Sequence, residues 1–143
     1  MSMPTTLRRV VTGHDGDGKS TIVLDDAPDA AMLGGDKDRR ALTELWATHA
    51  TAFEPGASEF RVVDLPAGNR REMHRTDTVD YGIVLTGEVH LILEVAETLL
   101  QTGDVVIQCG TYHAWHNRSD SVARMAFINL SGQVTDEARC PEV

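Results

Sequence analysis

The chain carries 143 residues, with 22 acidic against 13 basic side chains and a formal net charge of −9. That length suits one domain able to bury a core without disulfide or metal staples. So acidic a surface repels phosphate backbones and anionic lipid, so neither nucleic acid nor a membrane is an expected partner, and no apolar run approaches the ~20 residues of a membrane span.

The residues up to Arg9 lack the apolar segment of a signal peptide, and a cytoplasmic location is expected. Short β-type runs at 10–12 and 21–24 flank His14-Asp15-Gly16-Asp17-Gly18, whose Asp-Gly pairs predict a hairpin turn. The stretch from Gly13 to Ser20 also spells the phosphate-loop pattern G-x4-G-K-[ST]. That mechanism needs a helix next, and Thr21-Ile22-Val23-Leu24 is a β-branched run instead; Asp15 and Asp17 would also repel phosphate. A calcium loop is excluded by the missing terminal glutamate.

Residues 25–40 read as a surface loop rich in Asp, Ala, Gly and Arg. Residues 41–48 suit either helix or strand on periodicity and are assigned to strand, with Pro55 and Gly56 closing the segment. A strand over 59–65 stops at Pro66-Ala67-Gly68. Another spans 81–85, with a turn at Thr86-Gly87. Residues 88–95 alternate, placing Val89, Leu91, Leu93 and Val95 on one face. Residues 99–100, 105–108 and 123–130 complete the strands. Turn signals recur throughout, the spacing of a sandwich or barrel, and the residues after Gly132 form a polar tail. Cys109 and Cys140 make no CxxC pair. No disulfide framework is expected, and Cys109 reads as a small buried hydrophobe.

Two separated segments carry the chemistry. One runs from Gly68 through His74, Thr76, Thr78 and Asp80 to Gly87. The other runs from Gly103 through Gly110, His113 and Trp115 to Asn117. Side chains of an extended strand alternate between faces. His74, Thr76, Thr78 and Asp80 therefore share a face if that strand is regular, as do His113 and Trp115. With the segments facing each other across a barrel, His74, Asp80 and His113 converge as candidate ligands of one metal. Two imidazoles and a carboxylate with open positions suit ferrous iron, and also manganese, nickel or zinc. Thr76, Thr78, Arg70, Tyr112 and Trp115 are candidates for the pocket wall. Arg70, Arg71 and Arg75 adjoin the first segment, where an arginine can clamp a carboxylate, although solvated surface arginines are the commoner outcome. His116 and Asp77 are spare ligand candidates. Trp46 is a further aromatic candidate, and Tyr81, opposite in parity to Asp80, is expected to pack between sheets.

The two segments resemble the paired motifs of the cupin family, G-x5-H-x-H-x3/4-E-x6-G and G-x5-P-x-G-x2-H-x3-N. Gly68 leads to His74 at the first histidine position, Asp80 stands at the glutamate position, and Gly87 closes the first motif. Gly110, His113 and Asn117 keep the G-x2-H-x3-N spacing. Thr76 occupies the second histidine position, the second motif lacks its proline, and one residue is missing between Gly103 and Gly110. The resemblance implies an all-β fold, a small double-stranded β-helix (jelly-roll) barrel with an N-terminal β extension. Residues 1–58 would be strands and loop packing on the barrel, 59–132 the barrel, and 133–143 the tail, all in one domain that is expected to form a homodimer. With Thr76 replacing a ligand, the site either holds a divalent metal on three ligands, holds it weakly, or stays empty. Two functional readings follow. One is a metal-dependent enzyme acting on a small oxygenated organic molecule, of decarboxylase, lyase, isomerase or dioxygenase type. The other is a small-ligand-binding or sensing barrel without chemistry.

Overall fold

The computed structural model describes residues 6–51 and 54–132. These form strands and no helix, so no helix is long and apolar enough to cross a membrane. Eleven strands follow in chain order: β1 (Arg9–His14), β2 (Ser20–Asp26), β3 (Ala31–Leu33), β4 (Arg40–Ala47), β5 (Ser58–Leu65), β6 (Thr78–Thr86), β7 (Glu88–Leu93), β8 (Glu97–Gln101), β9 (Val105–Cys109), β10 (His113–His116) and β11 (Ala123–Ser131). They make a six-stranded sheet in the order β3-β4-β5-β11-β6-β9, a three-stranded sheet β10-β7-β8, and the separate hairpin β1-β2. This is the all-β double-sheet barrel that the resemblance implies.

The hairpin is built as its turn residues predict. Asp15 Oδ1 accepts from the backbone N–H of Asp17 and of Lys19, each at 2.9 Å, which closes the turn between β1 and β2. Lys19 and Ser20 thus lie at a hairpin and not at the start of a helix. One expectation needs correction nearby. The 25–40 segment is not all loop, since β3 pairs with β4 through Ala31↔Leu42 and Leu33↔Arg40. β4 in turn pairs with β5, so the N-terminal part extends the barrel's larger sheet. A register shift between Glu44 and Trp46 marks a bulge at Leu45, whose carbonyl accepts from Arg9 Nη1 at 2.8 Å. The bulge turns Trp46 outward, where it is exposed.

Alternation places one face of each sheet inward. Leu65, Val84, Val89, Leu91, Trp115, Ala123 and Met125 form the core between the sheets. Several are essentially dry, Val89 and Met125 at 0% exposure. Burying each such side chain stabilises by about 1.5–3 kcal/mol. Two glycines carry specific loads. Gly87, at φ 77°, turns the chain from β6 into β7, and a Cβ there would sit 2.7 Å from Val122 O. Gly82 on β6 lies under the Phe127 ring, and a Cβ would meet Phe127 Cε1 at 2.8 Å and Val106 Cγ1 at 2.9 Å.

Three further expectations fail. Val95 is not on the buried face of β7: the strand ends at Leu93, and Val95 is 99% exposed in the turn to β8. Tyr81 does face away from Asp80, but it lies on the outer surface of the six-stranded sheet and is exposed. Cys109 is disulfide-bonded rather than a plain buried thiol; Cys140 and the 133–143 tail lie outside the described residues. The spacing of two cysteines holds no signal for such a bond, because a disulfide depends on approach in space.

Candidate functional site

Next to the core lies a cavity of about 240 Å³, with Leu65 and Trp115 belonging to both. His74, Thr76, Asp80, His113 and Trp115 all line it. The chain reaches this arrangement without a regular strand through the first segment. His74 stands in an isolated antiparallel bridge with His113, and β6 starts only at Thr78. Each histidine's N–H donates to the other's carbonyl at 2.9 Å. That reciprocal pair brings the rings side by side, with centroids 4.4 Å apart. An aromatic wall continues from there, with Trp115 edge-on to His113 at 6.0 Å and to Phe127 at 5.7 Å.

The imidazole tautomers follow from the partners. His74 Nδ1 lies 2.8 Å from Glu72 O, and His113 Nδ1 lies 2.8 Å from Thr111 O. A carbonyl only accepts, so each Nδ1 must carry the proton and donate it. In the neutral ring Nε2 is then left with its lone pair. Burial pushes the His113 pKa down, with His74 and Arg71 adding to the effect against the Thr111 carbonyl and Asp80. His113 is thereby held neutral near pH 7. Neutral rings with Nδ1–H fixed to a carbonyl are what a metal or a proton acceptor site requires.

Asp80 is buried at 7% exposure, and its carboxylate is already engaged. Thr78 Oγ1 donates to Asp80 Oδ1 at 2.6 Å. With that hydrogen committed, the 2.9 Å contact between Thr76 and Thr78 is donated by Thr76. The chain Thr76→Thr78→Asp80 links these three side chains in a row. Among the described residues, however, no three His, Cys, Asp or Glu groups gather closely enough to hold one ion. The imidazole pair meets the demands of a metal; in this geometry Asp80 does not complete a three-donor set with it.

Other candidates fall elsewhere. Thr78 supports Asp80 but does not line the cavity. Arg70 does not line this cavity; it lines a neighbouring hollow of about 710 Å³, which Arg71, His74, Ile92 and Ala114 also border. Tyr112 is exposed with Arg75 over its ring at 5.7 Å. His116 pairs across strands with His90, and its Nδ1 accepts from Arg118 Nε at 3.0 Å, away from the cavity. Asp77 is exposed beside Arg75. The guanidinium that reaches the cavity is that of Arg71, joined by Arg40 and Arg61 and by the amide of Asn129. No motif marks Arg40, Arg61 or Asn129; their strand parity is the one signal, and it needs the strand pairing to be read.

Asn117 explains why the second motif ends as it does. It is fully buried, and its Nδ2 reaches the carbonyls of Leu65, Pro66 and Ser121 at 2.9, 3.1 and 2.7 Å. Its backbone binds Gly68 and Asn69 at 2.9 and 2.8 Å. The end of the second motif is thus tied to the start of the first.

Known proteins share these features. The cupin-domain family model matches residues 61–129. Phomopsin biosynthesis cluster protein D of Diaporthe leptostromiformis is 36% identical over 152 residues, spanning 90% of this chain and 80% of that protein. A cupin-domain-containing oxidoreductase of Neurospora crassa is 32% identical over 141 residues, spanning 85% and 72%. The cupin domain of Schizosaccharomyces pombe Cnp3 superposes with a TM-score of 0.64 over 92% of this chain and 93% of that one, at 14% identity, a likeness of fold alone. With its double-sheet barrel, its paired motifs at His74 and His113, and relatives that match along most of its length, the chain belongs to the cupin family.

Proposed function

We propose that this chain is a cupin enzyme acting on a small oxygenated organic molecule, with the His74–His113 pair as its working centre. The observation that carries this reading is the pair itself: two imidazoles side by side on a cavity wall, each with Nδ1–H tied to a carbonyl. A packing role needs no such arrangement. His113, kept neutral by burial, is suited to accept a proton at Nε2. Arg71 supplies positive charge for a substrate carboxylate or a developing oxyanion. Trp115 and Phe127 keep water from the inner wall.

A divalent metal, iron, manganese, zinc or nickel, is the proposed cofactor. His74 and His113 would hold it, with Asp80 a carboxylate on the same cavity wall, and when bound it would supply Lewis acidity or a redox couple. The name of the Neurospora relative, an oxidoreductase, favours the redox side of the family's range over decarboxylation, lyase or isomerase chemistry. Elemental analysis of the purified wild type, His74→Ala and His113→Ala tests this. The reading expects near-stoichiometric metal in the wild type and its loss in both variants; a metal-free wild type that also takes up no added metal would contradict it.

A second reading, a small-ligand-binding barrel without chemistry, is favoured by one observation. Thr76 replaces a ligand, and no three donors gather among the described residues. It predicts ligand binding that survives the loss of either imidazole. For assembly we propose a homodimer through the outer face of the six-stranded sheet. There Trp46, Phe60, Ile128, Tyr81 and Ile107 are successive cross-strand partners, and all are exposed.

A further inference from the structure

The cavity wall carries polar atoms for which the fold provides no partner. Arg61 Nε and Asn129 Oδ1 are buried from solvent, and neither has a hydrogen-bond partner among the described residues. Both side chains line the cavity. They stand on adjacent strands: Arg61 is opposite Phe127, two residues from Asn129, a diagonal that long side chains span. The Arg61 guanidinium is fixed at its other end by Glu59 and Glu44 through Nη2, so Nε stays in place and unpaired. A buried donor and a buried acceptor each cost their desolvation when left alone. On adjacent strands lining one cavity, they match a group that accepts and donates at once, which is a hydroxyl or an amide.

A cationic position lies nearer the imidazoles. Arg71 lines the cavity with His74 and His113. Its one ion-pair partner among the described residues is Asp38, at 3.5 Å, and Asp38 is already held by Arg40 at 3.0 Å. One carboxylate thus serves two guanidiniums. The same imbalance appears in Arg71 itself, whose pKa is pushed down by burial and by Arg40 against the pull of Asp38. Arg61 is offset by Glu59 and Glu44, while Arg40 and Arg71 line the same cavity and share Asp38 between them. Arg71, beside the imidazoles, is therefore the cavity-lining guanidinium with charge left to offer a ligand.

We propose that the cavity takes a small carboxylate bearing a hydroxyl or amide, its carboxylate on Arg71 beside the imidazoles and its hydroxyl or amide on Arg61 Nε and Asn129 Oδ1. The inference rests on the cavity being the substrate site. Its volume of about 240 Å³ lies below the ~300–1,000 Å³ of sites for drug-sized ligands, which sets the size class.

Three flexible probes test it by calorimetric titration or ligand-observed NMR on the full chain: hexanoate, its ω-hydroxy derivative and hexanediol. The hydroxy acid should bind tightest, with hexanoate about tenfold weaker and hexanediol weaker again, the scale of losing one well-made or charge-assisted hydrogen bond. Arg71→Met should erase the preference for carboxylates. Asn129→Leu should erase the advantage of the hydroxyl while leaving hexanoate binding intact. Arg61→Met, which removes the Nε donor, repeats the second test. Each variant is compared only if its circular dichroism and melting remain native. Equal binding of hexanoate and hexanediol, no gain from the hydroxyl, or no binding of any probe would overturn the proposal. The probes need not react, so a protein that binds them with these preferences but lacks metal and turnover would overturn the enzymatic reading alone. A metal-loaded, active protein indifferent to charge and hydroxyl would overturn this one alone.

Discussion

Asn117→Ala probes the link on which the site depends. Asn117 Nδ2 faces three carbonyls, those of Leu65, Pro66 and Ser121, while its Oδ1 accepts from Ser119 N at 3.0 Å and Ser119 Oγ at 2.7 Å. Nδ2 has only two hydrogens, so the three carbonyls share two donors' worth of bonding. The Ser119 hydroxyl can turn to Ser121 O, already at 3.1 Å. The net loss is therefore about three hydrogen bonds, worth about 3 kcal/mol at ~1 kcal/mol each. The buried Leu65 carbonyl, left dry, adds about 1 kcal/mol or more. A cost of about 4 kcal/mol is a large part of the ~5–15 kcal/mol that stabilises an ordinary domain. At ~2–4 °C per kcal/mol for a domain of this size, melting should fall by roughly 10 °C. Urea unfolding, with the slope m unchanged, measures the same quantity independently. Asn117→Asp keeps the shape and the acceptor facing Ser119, but sets a carboxylate oxygen against three carbonyls, so it should cost at least as much. A loss under ~1 kcal/mol in the alanine variant, or an aspartate variant more stable than the alanine one, would refute the role given to this side chain.

Other predictions are more local. Gly82→Ala places a methyl under the Phe127 ring and should cost about 1–3 kcal/mol by overpacking, read as a lower urea midpoint; an unchanged midpoint would mean the ring moves aside freely. His116 has its pKa pushed down by burial first, then by Arg118, Arg70 and His90, with Glu97 opposing. The unfolded chain therefore takes up that proton first on acidification. The stability is fully present above about pH 6.5 and is lost as pH falls from there toward the folded-state value; His116→Gln should flatten this part of the pH–stability curve. Tyr81→Glu, set in the middle of the exposed apolar row, should convert a dimer to a monomer by light scattering without changing the barrel's circular dichroism. A dimer that survives it does not use this face.

Strand positions were largely legible because alternation and glycine turns are local signals. The hairpin closed by Asp15 and the strand pair around Gly87 follow directly from them. β3 was hidden in a composition typical of loops, since three residues acquire strand character only by pairing with β4. Val95 continues the alternation beyond the strand, because parity says nothing about where pairing stops. The bulge at Leu45 reverses the side on which Trp46 appears, and no residue of that stretch announces a bulge. In the site, the glycine-framed motifs locate His74 and His113, and parity places Thr76, Thr78 and Asp80 together. What parity could not show is that Thr78 holds one oxygen of the Asp80 carboxylate. Nor could it show that Arg71, and not Arg70, lines the cavity with the imidazoles, or that Arg61 and Asn129 both line it from β5 and β11. Each of these depends on contacts between segments far apart in the chain.

The central claim is that His74 and His113 each hold Nδ1–H on a backbone carbonyl and turn Nε2 to the cavity. Long-range nitrogen–proton NMR of the histidine rings in the metal-stripped chain at pH 7.5 measures this directly, followed by stepwise addition of zinc. The account predicts Nδ1–H tautomers for both rings before addition, then a shared shift of both Nε2 resonances as zinc enters. A charged His113, a protonated Nε2 on either ring, or zinc that leaves both Nε2 signals untouched would contradict it.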